Sequence, residues 1–485
     1  MENIFLSDSE ESKIEYKKVM AQTVDAIIGA FDSEKAYSGK TPHELKKILC
    51  TNELLPSHGI GWKKTLEIVK EKILPNLLRP SSVCYMPHLH SPAVIESLAA
   101  EAIISAFNQS MDSWDQGPAA TEIEIEVIRH ICTLFGYGNK ADGVFTSGGS
   151  QSNQTAILLA RDWFISKKMN HDVKEFGLPA NFQKLRIYTS EISHFSMEKS
   201  AHILGLGHKS VVKVPVDSKK RMDTEALSSI IREDVKNGNI PFLAVATVGT
   251  TDFGSIDPIA QISSICSEYG MWLHADAAYG SGVVLSKKYT ERVSALNLCD
   301  SITVDFHKMF LLPISCSAVL VKDAQNFEPL TLHADYLNRT EDEEKGYTNL
   351  VDKSMQTTRR FDALKVWMSF LERGKDGWDK LITESMENAL YLYNAIDKNP
   401  DFEVVTEPEI SSIVFRYSQK TDESQNDEIN RNARLKLLHL HGIVIGQTIE
   451  KNRVFLKFTL LNPLMTHKKL DELVELLQRT CNAED

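Results

Sequence analysis

No run of about 18 apolar residues occurs in this 485-residue sequence, so no stretch is expected to cross a membrane as a helix. Basic charge is not in excess: 54 Lys and Arg face 66 Asp and Glu, a net charge of −12, which leaves no footprint for nucleic acid or anionic lipid. A small cationic substrate suits such a field better. The seven cysteines (Cys50, Cys84, Cys132, Cys266, Cys299, Cys316 and Cys481) are odd in number and scattered, with no CxxC or CxH spacing. That pattern argues against a disulfide framework and a structural zinc site and fits reduced thiols in a cytoplasmic protein. Residues 1–12 carry acidic Ser7-Asp8-Ser9-Glu10-Glu11-Ser12 where a signal peptide would be basic and then apolar. Internal repeats and low-complexity tracts are missing too, which removes solenoid and disordered classes.

What is present is globular material. Apolar residues make up 42% and charged residues 25%, enough for a large core, and the length fits two or three domains. Val19, Met20, Val24, Ile27, Ile28 and Phe31 share one helical face that Asp32-Ser33 breaks, and a second helix is expected from Trp62 to Leu74. These helices could form a local cap or an arm that wraps a second copy. From Gly143 to Asp323, apolar strands alternate with helical stretches. Strands are expected at Val144-Phe145, Leu185–Thr189, Val211–Val214, Leu243–Val248, Met271–Ala275, Ser301–Val304 and Ser317–Val321. Several are continuously apolar, as strands covered by helices on both faces are, so the expected fold class is α/β with a mostly parallel, doubly wound sheet. Residues 331–353 are polar and aperiodic and read as a lid. A helix follows from Arg360 to Leu371 and, past Gly374 and Gly377, from Trp378 to Ile396. The rest alternates strands (Ser412–Tyr417, Val454–Phe458) with helices (Glu428–His441, Lys468–Arg479). The expected division is an N-terminal helical segment 1–84, a large domain 85–375 and a small α/β domain 376–485.

Four places carry chemistry. Thr146-Ser147-Gly148-Gly149-Ser150-Gln151-Ser152-Asn153 follows a strand and opens a helix, where glycines, free amides and the Ser150 hydroxyl suit a phosphate. Asp276 ends the strand Met271–Ala275; a carboxylate there can keep a pyridine nitrogen protonated, with Ala277 and Ala278 leaving room for a flat ring. His194 lies past another strand end and can stack on a ring and handle protons. Lys308 follows a buried strand, where an ammonium costs several kcal/mol unless paired or neutralised, and imine formation with an aldehyde cofactor would make it useful. Taken singly, each has a plainer explanation: a capped Gly-Ser turn, an Asp capping a turn, a surface histidine, a solvated lysine. Together, beyond the carboxyl ends of strands, they are the parts pyridoxal phosphate requires.

These residues, with Pro118-Ala119-Ala120-Thr121-Glu122-Ile123-Glu124, Ala246-Thr247-Val248-Gly249-Thr250-Thr251, His274–Tyr279 and Asp305-Phe306-His307-Lys308, give a chain that closely resembles the group II pyridoxal-phosphate-dependent amino acid decarboxylases. The resemblance runs from about Tyr85 to Leu371 and more faintly beyond. It implies fold type I (aspartate aminotransferase-like), a pyridoxal-phosphate-binding large domain, a homodimer with active sites at its interface, and Lys308 as the cofactor's tether. It also implies Gly149, Ser150 and His307 at the phosphate, Thr247 and Asp276 at the ring's polar edge, and His194 and Ala278 on its two faces. Tyr336, in the lid stretch His333–Leu337, is then the acid that protonates the substrate carbon once carbon dioxide has left.

Tyr85–His90 and Asn108–Gln116 most resemble the bacterial branch acting on diaminobutyrate or, in siderophore pathways, lysine. Related aromatic decarboxylases place an apolar side chain where Asp112 stands, contributed across the dimer. A carboxylate there suits a distal ammonium, and His88 joins it as a substrate-binding candidate. Helix capping or a structural ion pair is an equal reading of Asp112 and Asp115. The resemblance thus implies decarboxylation of an L-amino acid, a basic diamino acid (2,4-diaminobutyrate, lysine or ornithine) first, with aromatic or acidic substrates and a non-enzymatic paralogue as other readings.

Overall fold

The computed structural model describes residues 4–50, 54–334, 338, 341 and 345–483. Its centre is a seven-stranded sheet of β1 (Asp142–Thr146), β2 (Leu185–Ser190), β3 (Val211–Val214), β4 (Ile240–Thr247), β5 (Trp272–Asp276), β6 (Ser301–Asp305) and β7 (Ser317–Val321), in the order β1-β7-β6-β5-β4-β2-β3. Only β7 runs against its neighbours, so β1 to β6 all point their carboxyl ends to one edge.

The continuously apolar strands have a direct cause. Along β2, β4 and β5 alternate residues enter two different cores: Tyr188, Ala244, Ala246, Leu273 and Ala275 on one face, Leu185, Ile187, Leu243, Val245 and Trp272 on the other. Helices Pro118–Leu134 and Ile259–Tyr269 cover the first face, and Gly149–Met169 and Ser196–Ile203 the second. Burial on both sides leaves no position for a polar alternation. β4 starts at Ile240, before the expected Leu243, because Pro241 is accommodated where the pairing with β2 shifts register between Arg186 and Ile187.

The other strand ends of this sheet differ from the expected ones by no more than two residues, and the larger differences lie outside it. The first helix, Glu10–Gly29, begins well before Val19, the first apolar position of the expected face, because Ser9 caps it, accepting from Ser12 N. The expected helix 62–74 is α-helical only over Trp62–Ile68 and widens to a π turn at Val69–Ile73. One long helix, Ala363–Asp397, contains both stretches expected on either side of the glycines; its break is at Gly374 alone (φ 56°, ψ −176°). Trp378, Ile382 and Met386 of this helix join the large core, whereas Ala389, Leu392 and Ile396 join a second core. That second core lies on a four-stranded antiparallel sheet of β8 (Phe402–Val404), β9 (Ser412–Tyr417), β10 (Gly446–Glu450) and β11 (Arg453–Thr459), ordered β10-β11-β9-β8. The edge strands β8 and β10 went unrecognised in the sequence: one has three residues, and the other carries a single large apolar side chain, Ile449. Among the described residues no helix is long and apolar enough to cross a membrane, and no group of three or more His, Cys, Asp or Glu is placed to hold a metal. All seven cysteines are free thiols, six of them buried.

Candidate active site

The carboxyl edge of the large sheet opens into a cavity of about 340 Å³, lined by residues following β1, β2, β4, β5 and β6. Gly149, Ser150, His194, Thr247, Asp276, Ala278, His307 and Lys308, eight of the eleven residues nominated from sequence, line this one cavity. His88 is exposed and does not line it, although its neighbour Leu89 does. Asp112 is buried elsewhere: its Oδ1 accepts from Ser113 N at 2.9 Å and its carbonyl from Val351 N at 3.1 Å. Asp115 accepts from Ser113 Oγ. Tyr336 lies outside the described residues.

The glycine turn is built for close approach. Gly148 sits at φ +151°, ψ 164°, a conformation open essentially to glycine alone. A Cβ on Gly149 would come within 2.8 Å of Asp305 Oδ2 and 3.2 Å of the Ala278 Cβ. Helical bonding starts with Gln151 N and Ser152 N on Gly148 O, which leaves the amides of Gly149 and Ser150 without a helix partner at the positive end of the dipole. Ser152 anchors the turn from below, touching Thr146 Oγ1 at 2.7 Å and Ser317 Oγ at 2.9 Å, and Ser317 in turn donates to Asp305 Oδ1 at 2.6 Å.

Lys308 is half-buried just past Asp305, the last residue of β6, and its Nζ stands 2.9 Å from Asp305 Oδ2. Burial by itself pushes the Asp305 carboxyl up, but the charges of Lys308 and His307 and the bonds from Ser317 and Lys308 outweigh it, holding Asp305 below the usual carboxylate range. His307 donates from Nδ1 to Cys316 O at 2.8 Å, and burial lowers its pKa against the pull of Asp305. Asp276 is held on both oxygens: Asn153 Nδ2 donates to Oδ2 at 3.0 Å and Ala278 N to Oδ1 at 3.2 Å. His194 is depressed chiefly by burial, with Asp276 opposing, so the ring is neutral near pH 7. Its Nδ1 lies 2.9 Å from Ser196 Oγ.

Asp305 and Asn153 stand inside motifs recognised in the sequence, but sequence reasoning assigned neither a role. For Asp305 the available signal was a carboxylate three residues before the lysine, and for Asn153 a lone polar residue on a helix face that must pack on the sheet. The four-stranded sheet connects to the cavity through Tyr279, whose hydroxyl bonds Ser411 and Ser412 at 2.9 and 3.0 Å. Lys457 is buried next to the cavity wall, paired with Asp252 Oδ1 at 2.8 Å and donating to the carbonyl of cavity-lining Thr251 at 3.3 Å.

Does this site fit pyridoxal phosphate? Thr247 Oγ1 is buried in the cavity wall without a hydrogen-bond partner, as a hydroxyl awaiting a ligand acceptor or donor would be. The Gly148–Ser150 turn leaves space and free amides for a phosphate, Asp276 is fixed as an acceptor, and Lys308 offers a primary amine. The donor set and the space agree with the cofactor.

The family model described as the pyridoxal-dependent decarboxylase conserved domain matches residues 42–418. The chain therefore belongs to the pyridoxal-dependent decarboxylases; it is a carboxy-lyase that works with pyridoxal phosphate. Among particular relatives, it is similar to an L-2,4-diaminobutyrate decarboxylase of Acinetobacter baumannii, 37% identical over 470 residues that cover 95% of this chain and 92% of that one. It is likewise similar to an L-2,4-diaminobutyrate decarboxylase of Rhizobium meliloti (strain 1021), 36% identical over 98% of this chain and 94% of the relative. A solved structure from Vibrio parahaemolyticus, the glutamate decarboxylase domain of diaminobutyrate-pyruvate transaminase and L-2,4-diaminobutyrate decarboxylase, superposes with a TM-score of 0.90 at 36% identity, covering 98% and 97% of the two chains.

Proposed function

We propose that the enzyme decarboxylates a basic diamino acid, L-2,4-diaminobutyrate first, in the cytoplasm and as a homodimer. The observation that carries the substrate is the 36–37% identity, over nearly the full length, to two relatives named for that reaction. Asp112 of the partner subunit supplies the carboxylate for the distal ammonium. The segment that carries Asp112 is held rigidly enough to aim it. Arg359, paired with Glu124 at 3.0 Å, donates to Met111 O, and Trp114 N donates to Asn349 Oδ1. Support for two copies comes from the helix Ile95–Phe107, which leaves Ile95, Leu98 and Phe107 exposed, and from the long helix it packs on, which exposes Leu371. Large exposed apolar side chains gathered on one helix pair are what an interface would cover.

Bound pyridoxal phosphate supplies an aldehyde that condenses with amines and a ring that takes up the electron pair left when carbon dioxide departs. The protein's part follows from its own atoms. The Gly149 and Ser150 amides, the Ser150 hydroxyl and His307 hold the phosphate. Thr247 Oγ1 and the doubly anchored Asp276 carboxylate would hold the ring's polar edge, Asp276 as the acceptor for a protonated ring nitrogen. Ala278 and the neutral His194 ring enclose the two faces. Lys308 Nζ, in electrostatic contact with Asp305, would be the amine that tethers the cofactor. Tyr336 would be the acid that supplies the final proton to carbon.

The test is a panel of L-amino acids with the amine products followed, run on the native enzyme and on Asp112→Ala. Diaminobutyrate is expected to lead the panel, and Asp112→Ala to lose that preference. Turnover confined to tyrosine or glutamate would overturn the substrate, and an unchanged preference in Asp112→Ala would remove Asp112 from its recognition.

A further inference from the structure

We infer that Asn153 is a positioning residue that couples the two ring-facing groups, Asp276 and His194, by fixing the direction of every hydrogen bond between them. This inference rests on the reading of Asp276 and His194 as cofactor contacts. Asn153 is 1% exposed and lies beneath the cavity between the ends of β2, β5 and β6. Its Nδ2 donates both hydrogens, to Asp276 Oδ2 and to Ser196 Oγ, each at 3.0 Å. Its Oδ1 accepts from Thr303 Oγ1 at 2.7 Å and from His274 Nε2 at 3.0 Å. All four valences of the carboxamide are used.

The orientation of the amide is forced. Turned over, Oδ1 would face the Asp276 carboxylate, acceptor against acceptor. The far end agrees with this direction. Trp272 Nε1 can only donate, and it donates to Ser301 Oγ at 2.9 Å; Ser301 then has its hydrogen for His274 Nδ1 at 2.8 Å. His274 is thereby left with its own hydrogen on Nε2, the atom facing Asn153. Ser196 Oγ accepts from Asn153 and has its hydrogen for His194 Nδ1. The Ser196 amide also donates to that nitrogen at 3.3 Å. Nδ1 is an acceptor twice over, and neutral His194 carries its proton on Nε2. Six polar side chains from two strands and two helices thus set one tautomer on the ring assigned to the cofactor's face, while the same amide keeps Asp276 an acceptor.

The experiment uses the holoenzyme with two readouts, the cofactor dissociation constant and the ring nitrogen-15 shifts of His194, with thermal melts as the control for folding. Asn153→Asp is isosteric but removes the donors and sets a second carboxylate against Asp276, so the cofactor is expected to bind about tenfold or more weaker. Ser196→Ala cuts one arm: the dissociation constant stays within about threefold of native, as expected when no cofactor contact is lost, and the His194 Nδ1 shift moves. Native dissociation constants in Asn153→Asp and Asn153→Ala, or an unmoved Nδ1 shift in Ser196→Ala, would overturn the inference. Asp276→Asn separates the two levels. If it binds cofactor as the native enzyme does, the underlying site reading fails; if it binds weakly while the Asn153 variants do not, only the coupling fails. Should the Asn153 variants not fold, the Ser196→Ala shift decides.

Discussion

Lys308 Nζ and Asp305 Oδ2 lie 2.9 Å apart, three residues from each other, with the carboxylate 2% exposed and the amine 19%. The buried carboxylate thus compensates the amine that the cofactor will take. Removing either partner strands the other's charge, at a cost of roughly 2–3 kcal/mol given the residual exposure of the lysine. Thermal melts of Asp305→Ala, Lys308→Ala and the double variant are expected to show losses that do not add, because the two residues share one interaction. Additive losses would mean that the pair contributes nothing.

Lys308→Ala is also expected to abolish turnover and to leave the cofactor exchangeable after borohydride treatment. Mass spectrometry of the reduced native enzyme should find the cofactor's mass on the peptide containing Lys308, and its appearance on another lysine would displace Lys308 from its role.

Gly149→Ala places a methyl group 2.8 Å from Asp305 Oδ2 and 3.2 Å from the Ala278 Cβ. Neither neighbour can yield easily, since Asp305 is bonded to Ser317 and Ala278 to Asp276. Cofactor affinity is expected to fall about tenfold or more, the cost of one displaced charge-assisted contact. Titration of the apoenzyme with pyridoxal phosphate reads this directly, and a native affinity would show that the turn is not the phosphate's seat.

His274 gives a pH prediction. Burial pushes its pKa down to about 4, so the native ring stays neutral where an unfolded histidine begins to bind a proton near 6.5. The unfolded state therefore holds more protons between these values. Stability from this residue is intact above about pH 6.5 and is lost as pH falls toward 4, by roughly 3 kcal/mol at the end of the window. A plot of melting temperature against pH over that window is expected to be shallower for His274→Gln than for the native enzyme, and parallel curves would contradict the assignment.

Phe107 and Leu371 are 75% and 67% exposed. If they lie in the homodimer interface, replacing both by Glu should shift the enzyme to monomers in sedimentation and remove activity together with the second chain. A dimer that survives the change moves the interface elsewhere.

The large sheet was legible because its strands are buried on both faces and write themselves as uninterrupted apolar runs; Leu243–Val245 needs no partner to be recognised. The site was legible for a related reason, since Thr146, Ser190, Thr247, Asp276 and Asp305 end strands that share one direction. What escaped depends on contacts distant in sequence. Asn153 meets Asp276 across 123 residues and Thr303 across 150, and no local pattern marks such a meeting. β10 escaped because an edge strand with Gly446, Gln447 and Thr448 has little apolar surface to announce it. Gly374 was one of two glycines expected to interrupt the long helix, and only its left-handed backbone carries the break, while Gly377 stays helical.

The helix beyond Gly374 serves two cores at once: Trp378, Ile382 and Met386 are buried in one, Ala389, Leu392 and Ile396 in the other. Neither core can lose its structure without stripping a face of the same rod, so heat should dissolve both in a single cooperative step. A chain cut within this helix would leave each half with an apolar surface and no lining for it, which makes the two cores one unit of stability.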